Sequence, residues 1–232
     1  MFYITGDTHG DFKERYEIFT EDVHPDSEDV MIVLGDAGLN YYENNTDRKK
    51  KQYVSSFPFT TFCIHGNHEK RPERIRTYTT KEFCGGTVWY EPEFPNILFA
   101  RDGEIYNFDG NQCIVIGGAY SIDKEYRILR GYNWFPDEQP SEETKAFVEQ
   151  SLESVGNKVD IVLSHTCPVQ YEPIEMFLSG IDQRKVDKST EEWLGEIEKK
   201  ITYKKWYCGH YHTTKCIDKM RFLYTHFEEL NG

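Results

Sequence analysis

Five short blocks limit what this chain can become. They are Gly6-Asp7-Thr8-His9-Gly10, Gly35-Asp36-Ala37-Gly38, Gly66-Asn67-His68-Glu69, Ser164-His165 and Gly209-His210-Tyr211-His212. Each carries Asp, Asn or His. Each stands where an apolar, β-prone run stops: Met1–Thr5, Val30–Leu34, Phe59–Ile64, Asp160–Leu163 and Lys205–Cys208. Asp7 and His9 are two residues apart, so on an extended backbone they face the same side. The pattern requires a set of strands that deliver polar side chains to one place.

The segments between the blocks alternate. Residues 11 to 22 have Phe12, Tyr16 and Phe19 at helical spacing. Residues 44–56 read as a polar surface helix, and 69–80 as a helix with Pro72 in its first turn. The continuous apolar run 30–34 fits a strand covered on both faces. From 87 to 118 short strands and tight turns suggest an antiparallel meander, with Asp102-Gly103 and Asp109-Gly110 as hairpin signals. Residues 122–140 read as a long loop, which in a compact domain is often functional. Ser141 caps a helix to about 155, and Ser189-Thr190-Glu191-Glu192 forms a capping box for another. Met220–Tyr224 reads as the last strand. The sum is a single α/β domain over residues 1–232, with the meander between its halves.

Composition narrows the function. A net charge of −13 argues against a long nucleic-acid substrate, although bound divalent cations would reverse the field locally. The six cysteines form no C-x-x-C pair, and four sit in apolar runs, as buried free thiols of a reducing compartment do. No apolar stretch reaches membrane-spanning length, and the first block starts too early for a signal peptide, so a cytoplasmic location is expected.

Carboxylate, amide oxygen and neutral imidazole are the ligands that hard and borderline divalent cations take. The candidates are Asp7, His9, Asp36, Asn67, His165, His210 and His212, enough for two cations sharing one carboxylate. Such a pair polarises a phosphoryl group and activates water. His68 stands outside that count, where it can protonate a leaving alkoxide or stabilise charge.

In chain order, the five blocks resemble the D-x-H, G-D, G-N-H-(E/D), H and G-H-x-H series of the calcineurin-like metallophosphoesterase superfamily, and the stretch Gly117–Pro136 resembles a segment of its small bacterial and phage-type members. The resemblance spans residues 5–212. It implies two mixed β-sheets packed as a sandwich and flanked by α-helices, with a dinuclear site at the strand ends. It implies Asp7, His9 and His212 on the first metal, Asn67, His165 and His210 on the second, Asp36 bridging, and His68 as the catalytic histidine. Manganese is expected first, with iron, zinc or nickel as alternatives. The implied reaction is hydrolysis of a phosphomonoester or phosphodiester, with a nucleotide as one candidate substrate, through water or hydroxide bridging the metals. Protein Ser/Thr phosphatases of the superfamily extend the second block with an Asp and an Arg. Here it reads Gly35-Asp36-Ala37-Gly38-Leu39-Asn40-Tyr41, which counts against that alternative. A metal-binding scaffold without catalysis is the alternative from another class.

Outside the blocks, Lys124 and Arg127 are candidates for gripping phosphate, Arg127 through its bidentate fork. Tyr120, Tyr132 and Trp134 are read as residues that brace their loop. Glu69 is read as a helix N-terminal acid, and His65 as a hydrogen-bonded histidine of the core or beneath the site.

Overall fold

A computed structural model describes residues 1–232. Its two sheets explain why the block-bearing runs are apolar throughout. The first sheet has a parallel centre made of β1 (Phe2–Thr5), β2 (Val30–Val33), β3 (Thr60–Cys63) and, after two intervening strands, β6 (Phe94–Ala100). An antiparallel pair, β4 (Thr79–Phe83) and β5 (Gly86–Glu91), extends it beyond β6. The second sheet is built on parallel β8 (Asn111–Ile116), β9 (Ile161–Ser164), β10 (Lys205–Cys208) and β12 (Met220–Phe222). β7 (Ile105–Phe108) and β11 (Lys215–Ile217) lie antiparallel at its edges. β13 (Phe227–Glu229) returns to pair antiparallel with β1, which joins the two ends of the chain.

Side-chain alternation then sorts each strand between two layers. Val30, Ile32 and Leu34 enter the core between the sheets, with Phe62, Leu98, Val115, Leu163 and Tyr207. Met31 and Val33 face outward into a second core. There they meet Tyr16 and Phe19 of α1 (Lys13–Val23) and Val54 of α2 (Asn45–Ser55). On the far side Val162 and Trp206 pack with Val148 and Leu152 of α4 (Glu142–Ser154) and Leu194 and Ile197 of α5 (Ser189–Lys200). A strand buried on both faces has no polar face, hence the unbroken apolar runs. The two mixed sheets and flanking helices are the expected sandwich.

Several local expectations are overturned. Residues 69–80 form no α-helix. A single 3-10 turn, Pro72–Arg74, leads into β4, whose Thr79 and Thr80 follow Thr77 and Tyr78 in a β-prone stretch. Asp102-Gly103 is not a hairpin, because β6 and β7 belong to different sheets and this turn carries the chain between them. Asp109-Gly110 does close the β7–β8 hairpin, with φ of 50° and 85° as a type I′ turn requires. The 122–140 segment contains a helix, α3 (Lys124–Arg130), ended by Gly131 in the left-handed region. Its exposed flanks bury no residue, so it leaves no amphipathic trace. α5 has no capping box. Its N-cap is Lys188, and Asp187 Oδ1 accepts from the Ser189 N–H at 3.0 Å. The chain closes on β13 rather than on residues 220–224. Ser141 caps α4 as expected, accepting from the Thr144 N–H at 3.1 Å.

All six cysteines are free, and Cys63, Cys113, Cys167 and Cys208 are buried. No helix is long and apolar enough to cross a membrane.

Candidate metal centre and phosphate cleft

The five blocks all lie at the C-terminal ends of β1, β2, β3, β9 and β10. The first two are stitched by backbone bonds: His9 N–H to Asp36 O at 2.7 Å and Gly10 N–H to Ala37 O at 2.9 Å. Arg15 of α1 braces the first turn, donating to the carbonyls of Gly6 (2.8 Å) and Asp7 (3.0 Å). Two block glycines are needed as absences of side chain. A Cβ on Gly66 would stand 2.1 Å from Asp36 Oδ1, and one on Gly209 would stand 2.2 Å from Asp7 Oδ1.

Each carboxylate is held by one oxygen and open at the other. Asp7 Oδ1 accepts from the His210 N–H at 2.9 Å, while buried Oδ2 has no hydrogen-bond partner and lies 3.3 Å from His212 Nε2. Asp36 Oδ1 accepts from the His68 N–H at 2.7 Å. Its Oδ2 faces His9 Nδ1 at 3.9 Å and His165 Nε2 at 3.8 Å. Burial alone would raise the Asp36 carboxyl. His165, His68 and His9, with the His68 N–H, outweigh it and hold Asp36 below the usual carboxylate range.

Neighbouring donors face each other across short gaps. His9 Nε2 and His212 Nε2 are 2.9 Å apart. Asn67 Oδ1 lies 2.8 Å from His165 Nε2 and 3.1 Å from His210 Nδ1. His165 Nδ1 is 2.7 Å from the Leu34 carbonyl and donates to it. With Nδ1 donating to that carbonyl, His165 turns Nε2 toward the Asn67 Oδ1 lone pairs, an arrangement that a cation between them satisfies. Asp7, His9 and His212 offer ligand atoms within 4.8 Å of one another, and so do Asp7, Asp36 and His165. The donor set fits divalent cations. All seven candidate ligands are brought together, with His165 and Asn67 buried and His9 and His212 half-exposed at the rim.

Four of the seven are held in place at a cost in backbone strain. His9, Asp36, His210 and His212 have φ of 48°, 46°, 64° and 48°. The left-handed region costs an L-residue about 1–2 kcal/mol, so the frame must hold these residues there.

His68 lies beside the cluster. Its Nε2 stands 3.2 Å from Asn67 Nδ2 and 3.2 Å from Arg127 Nη2, so it is the accepting nitrogen. Burial, then Arg127 and His9, keep the His68 imidazolium disfavoured despite Asp36. Arg127 arrives from α3, gripped by both Asp123 oxygens at 2.8 Å and donating to Tyr41 Oη at 3.2 Å. A guanidinium thus stands beside His68, brought there by a segment other than the second block. Lys124 does not join it. Its ammonium lies over the Trp134 ring, 4.2 Å from the centroid. Tyr120 lines the cleft, while Tyr132 is exposed outside it.

Three residues escaped sequence reasoning. Ser121 Oγ accepts from Asn67 Nδ2 at 2.9 Å and so turns Asn67 Oδ1 toward the histidines. Glu138 holds Ser121 in turn, accepting from its N–H at 3.2 Å and from Trp134 Nε1 at 2.7 Å. Arg15 is the third. The signal available was positional: Ser121 follows Gly117-Gly118 at the end of β8, the same strand-end rule that marks the five blocks. Glu69 is no helix acid. Its buried carboxyl accepts from the N–H groups of Gly66 (3.2 Å) and Ala37 (3.4 Å), and burial, reinforced by Asp36, pushes it up to about 8. His65 is buried, yet neither ring nitrogen has a partner. Burial and nearby Arg71 hold it well below its usual value, hence neutral.

The paired sheets thus carry a carboxylate–imidazole cluster at their C-terminal edge. The family is shown directly: the model of the calcineurin-like phosphoesterases matches residues 1–214, and the chain belongs to that family as a phosphoesterase. Among solved structures it is similar to TT1561 of Thermus thermophilus, at 13% identity over 90% of this chain and 80% of that one, with a TM-score of 0.47. It is also similar to phosphopantetheinyl hydrolase (PptH) from Mycobacterium tuberculosis, at 14% identity over 96% and 87% of the two chains, with a TM-score of 0.48. No curated protein sequence matches it.

Proposed function

We propose that this protein is a dinuclear metal-dependent hydrolase of phosphate esters, working as one domain over residues 1–232. The observation that carries the reading is the pair of buried carboxylates, Asp7 and Asp36, each pinned by a backbone N–H and open on one oxygen toward imidazoles. Asp7, His9 and His212 would hold one cation, Asn67, His165 and His210 the other, and Asp36 would serve both. Bound there, two divalent cations, manganese first among them, supply Lewis-acid polarisation of the phosphoryl group and water made nucleophilic at neutral pH.

The chain supplies the rest. Arg127 binds a phosphate oxygen through its fork, kept in place by Asp123. Once the guanidinium turns to phosphate, His68 Nε2 is free to take a proton shed by the attacking water and pass it to the leaving alkoxide as the P–O bond breaks. Ser121 and Glu138 keep Asn67 oriented throughout.

The test is to load the protein with Mn²⁺ and assay a chromogenic phosphate monoester and the matching diester. Turnover of either supports the reading and sets the bond type. Metal binding without turnover of either favours the scaffold. Turnover of phosphoserine peptides in preference to both would restore the protein-phosphatase alternative.

A further inference from the structure

Large apolar side chains exposed to solvent are not scattered over this molecule. Of twelve, eight fall in two short segments, 122–132 and 174–178. They include Leu129, Ile174 and Leu178, which are 84%, 71% and 60% exposed. Single exposed apolar residues need no explanation, but a concentration of them does.

Three of the eight, Ile122, Met176 and Leu178, line one cleft, and that cleft opens over the candidate metal-ligand cluster. Its floor carries His9, Asp36, Asn67, His68, His210 and His212. One wall is Tyr120 and Ile122, leading into α3. The other is Met176, Phe177, Leu178 and Val186, with the Phe177 ring stacked on Tyr211 at 6.4 Å. The cleft encloses ≈ 460 Å³, room for a phosphate and a substantial substituent.

The charges of the walls are already engaged. Glu172 pairs with Lys188 at 2.6 Å, and Asp123 with Arg127 at 2.8 Å. Buried Glu191 accepts from the Thr166 hydroxyl at 2.8 Å. Arg127 is the only Lys or Arg lining the cleft, and it sits against His68. A substituent bearing a carboxylate or a second phosphate would find acids and apolar surface rather than a cation. An uncharged apolar substituent would cover the exposed Ile122, Met176 and Leu178.

We infer that the substrate is a phosphate ester whose substituent is uncharged and apolar, lodged between the start of α3 and the 172–186 segment. This rests on the phosphoesterase site proposed above and adds the chemistry of the leaving group.

Alkylphosphonates test it, because they present a phosphate-like head with no ester bond to cleave. Methyl-, butyl- and hexylphosphonate are titrated calorimetrically into the Mn²⁺-loaded protein. Affinity should rise about 4-fold per methylene, or about 10³-fold from methyl to hexyl, as each group leaves water. The double variant Met176→Ser/Leu178→Ser should cut that slope by at least half. A flat series, absence of binding by all three, or AMP binding tighter than hexylphosphonate would overturn the inference. A clear slope without hydrolysis of hexyl phosphate would keep it and sink the proposed catalysis. Hydrolysis with a flat slope would do the reverse.

Discussion

The backbone strain at the candidate metal ligands can be measured one residue at a time. His9 has φ of 48° and is half-exposed. Its ring touches His212 and faces Asp7 and Asp36, while its N–H donates to Asp36 O. His9→Ala and His9→Gly both delete the ring and its contacts, and both keep the N–H. They differ in whether a Cβ must sit in the left-handed region. That Cβ costs about 1–2 kcal/mol. Glycine gives back about 0.5–1 kcal/mol through the greater freedom of the unfolded chain. The balance favours the Gly variant by roughly 0.5–1 kcal/mol, or about 1–4 °C in Tm for a chain of this size. Chelator in the buffer removes any contribution from bound metal. The same pair of substitutions at His68, which is absent from the positive-φ residues, should reverse the order. Denaturant midpoints with an unchanged slope would read both differences. An Ala variant at position 9 as stable as the Gly variant would refute the claim that the fold holds this ligand in a strained conformation.

Other perturbations separate the roles. His68→Ala should retain metal while turnover falls about 10²-fold or more; unchanged turnover would remove His68 from the chemistry. Ser121→Ala should loosen Asn67 and weaken metal affinity about 10-fold, measured by competition with a fluorescent chelator, and no change would reduce Ser121 to packing. Arg127→Lys keeps the charge and loses the fork, so KM for a phosphate ester should rise about 10-fold; an unchanged KM would leave phosphate binding to other groups. Glu191 is pushed up to about 7 by burial, above its unfolded value near 4.5. The folded state then binds the extra proton between those two values, so stability falls as pH rises from about 4.5 to about 7. In Glu191→Gln that decline should shrink by up to about 3 kcal/mol, read as chemical-denaturation midpoints across that range. Identical pH profiles for the two proteins would contradict it.

The candidate ligand set was readable because each member sits at the end of a strand buried on both faces. Burial writes an apolar run into the sequence, and the turn that follows must be polar, so block and run appear together. The α/β class followed from the same alternation of runs and amphipathic helices, and the two-sheet sandwich from the resemblance of the five blocks to the family. Contacts made at long range left no such trace. α3 is short and buries none of its residues, so nothing periodic announces it, yet it brings Arg127 to His68. Asp102-Gly103 has the chemistry of a hairpin turn, but which sheet each flanking strand joins is decided by packing. Residues 69–80 offered a helix start, and buried Glu69 and the β-prone Thr77–Thr80 stretch took them elsewhere. The Ser121–Glu138–Trp134 brace shows only once the loop returns to β3.

The account depends on one carboxylate serving two cations. Metal analysis after equilibrium dialysis against Mn²⁺ measures this directly, on the native chain and on Asp36→Asn, which keeps the size of the side chain and its tolerance of the left-handed region. Two metals per native chain, and loss of both in the variant, is the predicted result. A native chain holding one, or a variant that sheds one and keeps the other at full occupancy, would contradict it.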